Sequence, residues 1–244
     1  MIEEAHATGI DARVVPGLYD GLVWNTRVEC IGQFPAIRLR RCGVAIGDFL
    51  LKRALDIMLS TLALLVLWPV MVLLAIAIEL ESRGPVFYRA QRIGFKGRTF
   101  VCYKFRTMCP DADARKEELK HRNERDGILF KIADDPRVTR LGRFLRKYSI
   151  DELPQLYNVL RGEMSMVGPR PPVASEVEQY DLVHLRRLDV LPGMTGLWQV
   201  EARQDPSFDS YISLDTAYVE NWSLWLDLKI LVRTIGVVLS GTGS

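Results

Sequence analysis

Ile57–Ile78, IMLSTLALLVLWPVMVLLAIAI, runs twenty-two residues without a charge, and Pro69 stands near its centre. At ~1.5 Å rise per residue, a helix of this length reaches across the ~30 Å hydrocarbon core of a bilayer. Pro69 works against straightness, because it removes a backbone donor and its ring presses on the carbonyl of Leu65. Two helices meeting near Leu67, Trp68 and Pro69 are therefore expected. Both flanks are basic: Arg38, Arg40, Arg41, Lys52 and Arg53 precede the run, and Arg83, Arg89, Arg92, Lys96 and Arg98 follow it. Cationic loops tend to stay cytoplasmic, so charge on both sides fits a re-entrant hairpin whose two ends share one face. A kinked spanning helix fits the same composition. The run begins past residue 50, too deep for a signal peptide.

The 244 residues allow one good-sized domain and a smaller piece, with 48% hydrophobic residues to build a core. The net charge of +2 hides an uneven distribution. Arg83–Arg170 holds 20 basic and 11 acidic residues, a local charge of +9 that leaves −7 on the rest. A cationic block beside an apolar segment suits anionic headgroups, phosphates or nucleic acid; of these, a nucleic-acid partner is not expected. Cys30, Cys42, Cys102 and Cys109 show neither a CxxC pair nor a histidine at ligand spacing, which argues against a zinc site and for a reducing compartment.

Residues 1–47 read as a soluble N-terminal segment with two short strand-like runs, Asp11–Pro16 and Pro35–Arg40, too little for a core. From residue 48 to 244 the chain reads as one domain, with the apolar segment at 48–82. Val86–Arg92 and Thr99–Phe105, separated by Gly94-Phe-Lys-Gly97, read as a β-hairpin. Residues 111–126 are dense in both charges and form a solvated helix or a loop. Val138, Leu141, Phe144 and Leu145 recur at helical spacing, and so do Leu153, Leu156, Tyr157 and Leu160, which stop before Gly162. In Tyr218–Leu239, tryptophans stand beside leucines with isolated Lys229 and Arg233. That pattern fits an amphipathic helix in the headgroup layer or an ordinary buried one.

Chemistry concentrates in Arg146-Lys-Tyr-Ser-Ile-Asp-Glu-Leu-Pro-Gln155. Proline is tolerated only in a helix's first turn, so Pro154 sets a start near Ile150 or Asp151. Asp151 and Glu152 then sit at the positive end of the helix, close to Arg146 and Lys147, where anions are stabilised. Neighbouring helical residues point roughly 100° apart, so the two acids are expected to do different jobs. Ser149 through Glu152 also spells a capping box, in which Glu152 would reach back to the Ser149 backbone.

Around this cluster the chain resembles the bacterial sugar transferases, the monotopic polyprenyl-phosphate phosphoglycosyl transferases that start glycan assembly. The likeness rests on Ser149–Leu156, Asn158–Pro171, Phe49–Ile57, Lys104–Met108, Asp135–Arg137, Pro192–Val200, Arg203 and Asn221–Asp227, and covers about residues 48–240. It implies that Asp151 attacks the β-phosphorus of a UDP-sugar, that a phosphosugar stays on the carboxylate, and that undecaprenyl phosphate collects it. A covalent intermediate splits transfer between a soluble donor and a lipid acceptor into two displacements at one site. The resemblance places Mg²⁺ at Glu152. It sets Arg146, Arg170 and Arg203 on phosphate or nucleotide, where guanidinium forks fit phosphate oxygens. Lys104 and Arg106 are further candidates, although strand and loop cations also snorkel near headgroups.

The resemblance further implies an α+β, mainly helical, monotopic membrane protein: a re-entrant helix broken at Pro69, a small β-hairpin and amphipathic interfacial helices, at the cytoplasmic face of a bacterial inner membrane. The family's usual serine before that proline is Trp68 here, which cannot repeat a serine's bond to a freed carbonyl. Gly9–Leu39 is similar to the tail of the nucleotide-binding-like domain of larger members. Two other classes compete with the transferase: a metal-dependent lipid phosphate hydrolase using the same carboxylates, and a non-catalytic basic membrane anchor. A homo-oligomer is compatible with everything in the sequence, and the transferred sugar is not legible in it.

Overall fold

The apolar run becomes one helix, α1 (Ile46–Glu81), in a computed structural model that describes residues 27–31, 34–38, 46–112, 114, 135–181, 184–203 and 207–241. Among the described residues it is the one helix long and apolar enough to cross a membrane. Helical structure continues through Pro69, where the sequence suggested two helices meeting. A single proline removes one donor from the ladder, and the apolar turns on either side keep theirs. Only Asp56, Ser60 and Ile78 of α1 are buried; nothing between Ser60 and Ile78 is, and Leu62, Leu65, Val66 and Trp68 stand exposed there.

The chain divides into two compact units, Met1–Val44 and Ala45–Ser244. The first shows one antiparallel hairpin, β1 (Arg27–Ile31) and β2 (Phe34–Arg38), which pairs Arg27 with Arg38 and Ile31 with Phe34. The Pro35–Arg40 strand corresponds to β2. The run at Asp11–Pro16 and most of 111–126 lie outside the described residues.

In the second unit β3 (Phe87–Ile93) and β4 (Thr99–Phe105) form the expected hairpin, in the register Phe87–Phe105 to Ile93–Thr99. Ala90, Phe100 and Cys102 turn one face of it onto Val159 and Met164. α2 (Arg140–Lys147) and α3 (Gln155–Arg161) follow, and α3 ends at Gly162 in the left-handed conformation (φ 80°) that glycine permits. β5 (Ser165–Val167) pairs in parallel with β6 (Gly193–Thr195). A Cβ on Gly193 would stand 2.1 Å from the Gly168 nitrogen, so only glycines let these two backbones close together. The short helices α4 (Ala174–Val177) and α5 (Leu197–Glu201), then α6 (Phe208–Glu220) and α7 (Leu224–Ser240), complete a mainly helical α+β unit with small sheets. Along α7, Trp225, Leu228, Val232, Ile235 and Leu239 form an exposed apolar stripe, while Asp227 and Ile230 are buried. Amphipathic spacing of this kind produces such a two-faced helix.

Both ends of α1 dock on the second unit. Near its start, Lys52 donates to Asp227 (2.6 Å) and to the Val167 carbonyl (3.1 Å), Arg53 donates to the Val159 and Leu160 carbonyls (2.7 and 2.9 Å), and Asp56 accepts from the Met166 amide (3.0 Å). Near its end, Ile78 shares a core cluster with Phe105 and Leu145, flanked by Met71, Leu74 and Ala75.

Candidate active site

Asp151 and Glu152 lie in a tight 3₁₀ turn, Ile150–Glu152, between α2 and α3. The sequence placed the helix start here. It comes a turn later, with Pro154 capping α3 at φ −62°, because Ser149 adopts a left-handed backbone (φ 55°) that directs the chain into the 3₁₀ turn first. The capping box does not form. Ser149 makes no side-chain cap; its Oγ accepts from Arg203 Nη2 (2.9 Å), and the Glu152 carboxylate accepts from Lys104 Nζ (2.5 Å). Tertiary partners have taken both side chains from the local motif.

Three supports position the surrounding cations. Thr139 caps α2 by accepting from the Gly142 amide (2.9 Å), and a Cβ on Gly142 would meet the Thr107 carbonyl at 2.1 Å. α2 therefore seats directly on that loop, and one turn on, Arg146 Nε donates to Thr107 Oγ1 (2.9 Å). Asn158, wholly buried in α3, accepts from the Tyr103 amide (3.1 Å) and donates to the Val101 carbonyl (2.7 Å). It thus pairs with β4 as a strand would and sets the register of Lys104, the next residue. Arg170 follows the Gly168-Pro turn, its Nη1 3.9 Å from Glu176.

These groups meet at a cavity of about 1060 Å³, lined by Lys104, Arg106, Arg146, Asp151, Glu152, Arg170 and Arg203 among others. Every charged residue assigned a catalytic, metal or phosphate role from the sequence is on its wall, and Lys147 is not. Nor is Pro69, which sits on the exposed middle of α1. Arg106 is divided between roles, since its Nη2 donates to the Ser82 carbonyl just past α1, while Nη1 is buried without a partner. Lys104, a further phosphate-binding candidate in the sequence, is the ion partner of Glu152.

Burial pushes the Asp151 carboxyl up to about 6; Lys104 and Arg146 oppose that rise and Glu152 adds to it. At neutral pH it remains mainly ionised. Burial would lift Glu152 as well, but the charge and hydrogen bond of Lys104, with Arg203 and Arg170 behind, hold it below the usual carboxylate range. Burial works to discharge Lys104, and Glu152 and Asp151 outweigh it, so its pKa is raised. The outcome is a cationic cavity around two carboxylates held in different electrostatic states, suited to an anionic phosphate ligand and a carboxylate nucleophile.

Among the described residues no group of three His, Cys, Asp or Glu side chains could hold a metal by itself. Mg²⁺ binds through one or two carboxylates and completes its shell with phosphates and waters. Glu152 and Asp151 fit that mode, as partners of a phosphate-bearing ligand. Sequence reasoning missed Asn158 and Thr107 as positioning groups. Both residues fall inside motifs that carry the resemblance, Asn158–Pro171 and Lys104–Met108, and Asn158 is also a polar residue inside the Leu153–Leu160 stripe, but neither signal assigned them a role.

The family model for bacterial sugar transferases matches residues 47–241. The galactosyl transferase CpsE of Streptococcus agalactiae is 40% identical over 246 residues, spanning 100% of this chain and 55% of its own length. The undecaprenyl-phosphate galactose phosphotransferase of Salmonella typhimurium is 44% identical, over 95% of the chain and 50% of its own length. The exopolysaccharide production protein ExoY of Rhizobium meliloti is 45% identical, over 79% of the chain and 87% of its own length. The chain thus spans about half the length of the first two relatives and most of the third.

Proposed function

The chain belongs to the bacterial sugar transferase family, and from that membership we propose that it transfers a sugar 1-phosphate from a UDP-sugar to undecaprenyl phosphate, opening the synthesis of a surface polysaccharide. An Asp151 Oδ attacks the β-phosphorus of the donor, the bond from that phosphorus to the bridging oxygen breaks, and uridine monophosphate leaves with the electron pair. A phosphate oxygen of the lipid then attacks the same phosphorus, and the carboxylate returns to its ionised form. Lys104, Arg146, Arg170 and Arg203 orient the diphosphate and offset the charge on its equatorial oxygens. Glu152, with Asp151 beside it, would hold Mg²⁺, which when bound neutralises diphosphate charge.

The observation that carries this reading is the openness of Asp151. It is 9% exposed, lines the cavity, and among the described residues receives no hydrogen bond from another side chain, although cations surround it. A purely structural carboxylate at such depth would be saturated with donors. The names of the relatives supply the substrate classes.

The docking of both ends of α1 supports a monotopic placement. A straight helix would part Arg53 from Ile78 by ~38 Å. Yet Arg53 binds beside Asn158, Asn158 binds Tyr103, and Phe105, two residues along β4, packs on Ile78. Both ends belong to one body while the middle is bare, as a re-entrant segment bent at Pro69 requires.

The test is transfer of radiolabel from a panel of UDP-sugars to undecaprenyl phosphate, with uridine monophosphate followed in parallel. Lipid diphosphosugar and uridine monophosphate in equal amounts support the proposal, and release of free phosphate instead makes the protein a hydrolase. Cysteines placed at positions 48 and 83 should label from one side of inverted vesicles only, and labelling from opposite sides would replace the re-entrant path with a spanning one.

A further inference from the structure

Buried polar atoms without a partner are few in folded proteins, and each asks for an explanation. Among the described residues, three such atoms besides the Arg106 nitrogen belong to side chains on the Asp151 cavity: Glu176 Oε2, Trp198 Nε1 and Gln199 Oε1. Glu176 is 3% exposed and Trp198 7%. The rest of the fold occupies these side chains only in part. The other Glu176 oxygen meets Arg170 at a long 3.9 Å, the Gln199 amide nitrogen donates to the Met194 carbonyl at 3.5 Å, and the Trp198 ring packs against Tyr211 and Ile212.

One buried ring links Trp198 to the Arg170 side of the cavity, and Gln199 follows Trp198 in α5. Tyr211 meets Trp198 edge-on, with centroids 5.0 Å apart, and lies 6.0 Å from the guanidinium carbon of Arg170, the residue that reaches Glu176. Beneath the ring, Arg187 is 1% exposed and donates to the Tyr180, Tyr211 and Asp215 side chains and to the Arg170 carbonyl. An ion pair this deep fixes geometry, because each partner left alone would be a buried charge. The unpartnered atoms therefore stand on a rigid platform beside Arg170, whose charge also acts on Glu152.

We propose that Glu176, Trp198 and Gln199 form the pocket that reads the hydroxyl pattern of the donor sugar, an inference that rests on the phosphosugar-transfer reading. Hydroxyls donate and accept at once, so neighbouring hydroxyls satisfy two idle acceptors and one idle donor together. A uracil edge fits poorly. It presents acceptor, donor, acceptor, which calls for two protein donors, and it would set carbonyl oxygens against the Glu176 carboxylate. Position agrees as well: the sugar hangs from the β-phosphate, and the pocket adjoins a phosphate-facing arginine.

A site built to hydrogen-bond a hydroxyl rejects the analogue that lacks it far more strongly than an apolar pocket does. The test uses the full chain in lipid nanodiscs. Calorimetry gives Kd for UDP, for UDP-glucose, UDP-galactose and their N-acetylated forms, and for deoxy analogues of the tightest of these. The wild type should reject at least one deoxy analogue by about 100-fold or more. Glu176→Ala and Gln199→Ala should erase most of that ratio while Kd for UDP stays unchanged, which also reports an intact fold. Trp198→Phe keeps the ring on Tyr211, removes only the N–H, and should reduce the ratio about tenfold. A ratio untouched by all three variants overturns the proposal, as does an equal loss of UDP affinity, which would assign the trio to the nucleotide. Sugar discrimination that depends on Glu176, in a protein that forms no lipid-linked product, would leave the pocket standing and end the transfer reading.

Discussion

Asp151 and Asp227 are both buried carboxylates near a lysine, 9% and 7% exposed, in the same unit of the chain. Asp227 is saturated: Lys52 Nζ (2.6 Å), the Tyr218 hydroxyl (2.8 Å) and Trp222 Nε1 (3.2 Å) all donate to it. Asp151 has no such donors, and its nearest lysine is spent on Glu152. Depth alone therefore does not separate a carboxylate that holds α1 in place from the one proposed to attack phosphorus. What separates them is whether the oxygens are already used.

The contrast yields opposite outcomes for one substitution. Asp151→Asn should lower uridine monophosphate release by about 10⁶-fold, the scale for loss of a nucleophile, with the thermal midpoint in detergent unchanged. Asp227→Asn should leave turnover per folded molecule intact and destabilise by about 3–5 kcal/mol, because it strands the Lys52 charge at the interface; a denaturant titration in micelles measures this. If both variants were folded and active, saturation would carry no information about role. Glu152→Gln tests the division of labour within the pair. It should raise the Mg²⁺ concentration for half-maximal transfer by about 10- to 100-fold, read from a metal titration, with the fold intact.

The smallest effect concerns Asp135, whose carboxyl the Arg137 hydrogen bonds hold below its ordinary value against the pull of burial. The folded state then binds fewer protons than the unfolded one. This contribution is present above the unfolded value of about 3.9 and fades as pH falls through the folded one. Thermal midpoints taken from about pH 5 down to pH 3 should fall less steeply in Asp135→Asn than in the wild type.

Local rules made some of the molecule legible in sequence. The apolar run marked α1 as helical, though not that one helix would run on through Pro69, the alternation in β3 and β4 with Gly94 and Gly97 between them gave the hairpin, and Gly162 marked the end of α3. The site was legible as a set of residues and not as an arrangement. Lys104 pairs with Glu152 across 48 positions, and Asn158 reaches β4 across 55. No periodicity encodes either contact. The turn at Asp151 misled for a related reason: Ser149-Ile-Asp-Glu has the chemistry of a cap, but Arg203 holds the serine hydroxyl and Lys104 the glutamate. Local preference yielded to partners the chain meets only after folding.

Because α1 is fastened near Arg53 and again near Ile78, it cannot tilt or swivel as a loose rod would. In the monotopic placement proposed above, any depth its exposed middle reaches in lipid is transmitted to the rest of the unit, so the height of the Asp151 oxygens above the bilayer would be a fixed mechanical dimension. A phosphate carried on a lipid would find its target at a constant altitude wherever the protein drifts in the membrane plane.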